Sequence, residues 1–62
     1  LEKEHLQKLL NGKVIADADL CHGMVKFIFS DGTSFEREKT CEGEIIDTLY
    51  DKEKNIIMTI KF

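Results

Sequence analysis

Cys21 and His22 stand side by side, Cys41 follows downstream and His5 precedes them, and from these residue types zinc sites and thiol nucleophiles are built. A structural zinc ion needs four soft or borderline ligands converging as a tetrahedron. No Cys-x-x-Cys knuckle is present, and neighbouring Cys and His in an extended segment point to opposite faces, so no metal site is expected. The same pair offers a thiolate and an imidazole. A chain of 62 residues nevertheless has little room for an enclosed pocket, an oxyanion hole and a group to orient the base. The chain is therefore read as a non-enzyme, with no catalytic residue, no metal and no cofactor. A Cys21–Cys41 disulfide would close a loop of roughly 20 residues and contribute on the order of 3 kcal/mol. A reducing cytosol would keep the two thiols apart, leaving free cysteines that behave as small hydrophobes. A Cys/His metal or redox protein stands as an alternative reading.

Glu36, Glu38, Glu42, Glu44 and Asp47 form a local acidic run of the kind that binds a basic partner or imitates a phosphate backbone. Arg37 and Lys39 interrupt it, and the plainer reading is solvated strand faces and a loop. Asp17, Asp19 and Asp31 lack calcium-loop spacing, and no glycine pattern cradles a phosphate. With 12 acidic against 9 basic residues the net charge is -3, and the cations do not cluster, so no nucleic-acid partner is expected.

The elements that must position these groups follow from pattern. Leu6, Leu9 and Leu10 share one helical stripe, Glu4 and Lys8 sit at the supportive i,i+4 spacing, and Asn11-Gly12 closes a helix over Glu2–Leu10. Residues 13–20 alternate as a strand, and the small Ala16 and Ala18 leave room for the N-terminal leucines to pack over it. Phe27-Ile28-Phe29-Ser30-Asp31-Gly32-Thr33-Ser34-Phe35 reads as a β-hairpin. A two-residue Asp31-Gly32 loop would set Lys26 opposite Arg37, which is unfavourable. A Ser30-Asp31-Gly32 loop, with Gly32 left-handed, pairs Phe27 with Phe35 and Lys26 with Glu36 instead. One face then carries Val25, Phe27, Phe29 and Phe35 as core, and Met24 and Ile28 lie on the other. Residues 44–54 fit either a helical stripe or a strand and polar turn; the hairpin is favoured because residues 56–62 form a clear terminal strand. No internal repeat and no linker divides the chain, so residues 1–62 are read as a single small domain.

The expected fold class is α+β: a short N-terminal helix followed by a strongly curled antiparallel meander of about four to five strands, a small roll or partly open barrel. One core of this size supplies only roughly 3 to 5 kcal/mol of net stability. Val25, Phe27, Ile28, Phe29, Ile56, Ile57, Met58 and Ile60 put apolar groups on both faces of two strands, more than a half-solvated sheet carries. Met24, Ile28, Ile57 and Phe62 are accordingly the expected surface for a partner or for self-association. A homodimer or higher oligomer is the first binding expectation, and a protein partner for a small inhibitor or adaptor is the next. An oligomer holding a small-molecule ligand between subunits is the alternative from another class. The chain opens on Leu1 with no Met, leaving room for an upstream segment. With no signal peptide and no membrane-length apolar run, a soluble, cytoplasmic protein without membrane contact is expected.

Overall fold

The computed structural model describes residues 2–21 and 23–62. Helix α1 (Glu2–Leu10) precedes strands β1 (Ile15–Cys21), β2 (Met24–Phe29), β3 (Ser34–Lys39), β4 (Ile45–Tyr50) and β5 (Ile56–Lys61). The strands form one antiparallel sheet in the order β1-β2-β3-β4-β5, an α+β meander that does not close into a barrel. The ambiguous segment 44–54 is thus strand and turn. No helix among the described residues is long and apolar enough to cross a membrane.

Short loops explain the meander. The β2–β3 hairpin has Phe27 opposite Phe35 and Lys26 opposite Glu36, the register that charge pairing demanded. In its loop the Gly32 amide donates to the Phe29 carbonyl and the Phe29 amide to the Thr33 carbonyl, with Gly32 at φ 91. The same bonds recur at Thr40, Gly43 and Glu44, and again at Asp51, Lys54 and Asn55. Gly32, Gly43 and Lys54 therefore take equivalent left-handed positions, each eleven residues after the last. A structural repeat is present where no sequence repeat was expected. It is hidden because the turn preserves backbone geometry and not residue identity: Lys54, at φ 68, stands where the other two loops have glycine.

Directly paired residues share a face. On one face lie Phe27, Phe35, Leu49 and Met58 in a row, with Phe29 and Ile60 in the neighbouring rows. The leucine stripe of α1 packs here. Leu6, Phe29, Phe35, Leu49 and Ile60 are the buried core, with Leu9, Leu10, Phe27 and Met58 against it. A nine-residue helix is marginal in isolation, so this packing is what holds α1 in place. Gly12, at φ 82, then turns the chain away, as Asn11-Gly12 implied.

The expectation that the leucines cover the strand at Ala16 and Ala18 is corrected. Helix α1 contacts β5, at the opposite edge, and all seven residues of β1 are exposed. The aromatic and branched side chains of β2 to β5 offer a deeper apolar floor than two alanines, and apolar area removed from water decides where the stripe settles.

Candidate functional site

Three surfaces remain after the core is formed. The first is β1. A bulge lets Ala16 be skipped in the ladder, so Ile15 pairs with Phe29 while Asp17 pairs with Ile28. From there the strand is regular, with Ala18 opposite Phe27, Asp19 opposite Lys26 and Leu20 opposite Val25. Ile15, Ala18 and Leu20 thus extend the helix-side face, and Asp17 and Asp19 lie on the reverse face. Val14, Ile15 and Leu20 are 63%, 53% and 71% exposed. Just before the strand, Lys13 binds the β2–β3 loop: its ammonium bonds the Asp31 carboxylate at 2.5 Å and lies 5.6 Å from the centre of the Phe29 ring. The Lys13 bond, then the hydroxyl and amide of Thr33, hold the Asp31 carboxyl well below the ordinary carboxylate range.

The second surface is the reverse face. Met24 is half-buried opposite Glu38, and Ile28 is exposed opposite Ser34. Ile46 and Tyr50 continue the face on β4. Burial, and then the carboxylates of Glu36 and Glu38, push the Tyr50 phenol above its ordinary value.

The third is a groove of about 320 Å³ between α1 and the sheet, lined by Lys3, Leu6, Gln7, Leu10, Phe35 and Phe62 among others, with Arg37 and Asp47 in its wall. Arg37 and Asp47 are directly paired across β3 and β4. The guanidinium donates through Nε at 2.7 Å and Nη2 at 2.8 Å, one bond to each Asp47 oxygen. Asp47 is only 2% exposed, while the Arg37 side chain is half-exposed. Its hydrogen bonds to the Asp47 carboxylate raise the Arg37 guanidinium above its ordinary value.

The expected surface residues are not gathered into one patch. Met24 and Ile28 share the reverse face. Ile57 is the skipped residue of a second bulge, on the outer strand β5, so two intervening strands place it roughly 14 Å from β2. Phe62 exchanges backbone bonds with Ile45 beyond the end of β5 and lines the groove on the helix side. The acidic run is likewise divided: Glu36 and Glu38 face the reverse side, Asp47 faces the helix side, and Glu44 lies 3.7 Å from Lys61. Cys21 and Cys41 are exposed free thiols. His22 falls outside the described residues, and with it half of the Cys21-His22 pair. Among the described residues no three histidine, cysteine or acidic side chains gather as a metal site. Comparison with family models, curated proteins and solved structures finds no match to this chain.

Sequence reasoning missed the Arg37–Asp47 pair and the open β1. Glu42-Gly43, eleven residues after Asp31-Gly32, carries the signal for the first. The same three-residue loop, counted outward, sets Arg37 against Asp47. For β1 the bulge at Ala16 was the obstacle, since strict alternation assigns Ile15 to the wrong face.

Proposed function

We propose that this protein is a small non-catalytic interaction module that acts by binding a protein partner or a second copy of itself. The observation that carries this reading is β1, a full strand of the sheet with every residue exposed and two large apolar side chains, Ile15 and Leu20, open to water, with Val14 just before it exposed as well. A reducing, cytoplasmic setting suits its two exposed free thiols. Native mass spectrometry of gently purified protein at high micromolar concentration tests the reading. Complexes with a second copy or another polypeptide are expected; a monomer with nothing attached contradicts it.

The groove favours a second reading, binding of a small molecule. Its volume of about 320 Å³ falls at the lower end for ligand pockets, and it has apolar walls beside an oriented guanidinium. This pocket lies within one chain and not between subunits. A small-molecule mass retained on the native protein, and lost on Phe62→Ala, is the result this second reading requires.

A further inference from the structure

We infer that the open edge of β1 receives an extended segment of a partner polypeptide that alternates basic and apolar residues. Its basic side chains lie beside Asp17 and Asp19, and its apolar ones beside Ile15, Ala18 and Leu20. The inference rests on the interaction-module reading and names the partner chemistry.

An edge strand presents a row of unpaired backbone donors and acceptors, and proteins usually blunt such edges by shortening them or by placing lysine or proline on them. Strand β1 is the longest of the sheet at seven residues, contains no lysine, and is regular from Asp17 to Cys21; its Ala18 amide donates to the Asp17 carboxylate at 2.9 Å, a bond that an incoming strand must displace, freeing that carboxylate for a basic side chain. The other edge is different. Strand β5 carries a bulge at Ile57 and ends in Lys61, and α1 lies against it.

The charge pattern of β1 selects its occupant. In an antiparallel pairing of β1 with a second copy, centred on Ala18, Asp17 of each chain faces Asp19 of the other. Like charges directly opposite one another are destabilising, and here the clash occurs twice. Across the existing ladder Asp19 has Lys26 opposite it, but Asp17 has only Ile28. A strand with lysine or arginine at the matching positions converts both clashes into attractive pairs, and its alternate residues extend the apolar row of Ala18 and Leu20. The acidic residues thus disfavour self-pairing and favour a basic strand at the same positions, the two halves of specificity.

The probes are three peptides of about nine residues, a common strand length: one alternating lysine and valine, its glutamate-valine counterpart, and the lysine peptide N-methylated at alternate residues on its pairing edge. Binding is read by titration, and its location by amide chemical shifts. The lysine peptide is expected to bind at β1 about ten-fold tighter than the glutamate peptide, weakening as salt is raised. N-methylation removes the backbone donors and should abolish binding. Asp17→Lys with Asp19→Lys, exposed changes whose folding is checked by circular dichroism, should reverse the preference. Equal affinity for both charged peptides, undiminished binding after N-methylation, no binding of the lysine peptide, or shifts confined to the groove or reverse face would each overturn the inference. A dimer paired through β1 would overturn it too while leaving the module reading intact. A monomer that binds no peptide and carries no partner removes both.

Discussion

Strands β5 and β1 both end the sheet, but α1 lies against β5, whereas among the described residues no element is packed over β1. The consequence shows in burial. Ile60 on β5 is 6% exposed and Leu20 on β1 is 71% exposed, although both are branched residues on the same face of the same sheet. A side chain's contribution to the fold is therefore set by what is laid over it, and strand pairing by itself leaves apolar groups in water. The covered side spends its apolar residues on stability; the β1 side keeps them available for contact.

Substitutions separate the two sides most strongly at their extremes. Leu49, 1% exposed beneath α1, should lose about 2 to 5 kcal/mol on change to Ala, enough to unfold much of a domain with so small a core. Leu20→Ala should stay within about 0.5 kcal/mol. Urea denaturation followed by circular dichroism measures both, and a large loss at Leu20 would erase the contrast. Next comes the ion pair. Arg37→Met leaves the Asp47 carboxylate buried without its two hydrogen bonds and should cost about 3 kcal/mol by the same measurement. Arg37→Lys, which keeps the charge but loses the fork, should cost about 1 kcal/mol.

Loop substitutions give smaller effects that check the repeat. A side chain at Gly43 would meet nothing within 4 Å, so Gly43→Ala tests the backbone alone at φ 90 and should lose about 1 kcal/mol. At the equivalent position Lys54→Gly should gain about 0.5 kcal/mol. Thermal melts distinguish opposite signs from a shared one, and a shared sign would mean that the loops are not equivalent.

The weakest effect concerns how β1 is anchored. Asp31 has its folded pKa depressed below the ordinary value of 3.8 by Lys13 and Thr33. Its contribution is complete above that value and is lost as pH falls through the folded one, since protonation removes the acceptor of the Lys13 bond. Strong acid, below the ordinary carboxylate range, should therefore loosen the segment leading into β1. Amide shifts of Thr33 followed from pH 5 downward are expected to move as Asp31 takes up its proton, and Asp31→Asn should flatten that response.

Much of this organisation was legible because it rests on local rules. The stripe of Leu6, Leu9 and Leu10, the stop at Gly12 and the Lys26–Glu36 register each follow from spacing, left-handed backbone or charge pairing within a few residues. What was not legible depends on long-range choices. Nothing in Ala16 or Ala18 states that the leucines prefer the floor made by Phe35, Leu49 and Ile60, and nothing in Ile57 or Phe62 states that they lie apart from Met24 and Ile28, one at a bulge of β5 and the other at the groove. Met24 and Ile28 do share the reverse face, while Leu20, the most exposed large apolar residue among those described, passed as an ordinary member of an alternating strand.

Hydrogen exchange at the β1 amides that point away from β2 tests the central claim most directly, because it reads the edge itself. In the free protein these amides should exchange rapidly while those of Leu49 and Phe35 are protected, and the lysine-valine peptide should slow the β1 set alone. Slow exchange at β1 before any peptide is added, or exchange unchanged by saturating peptide, would contradict the account.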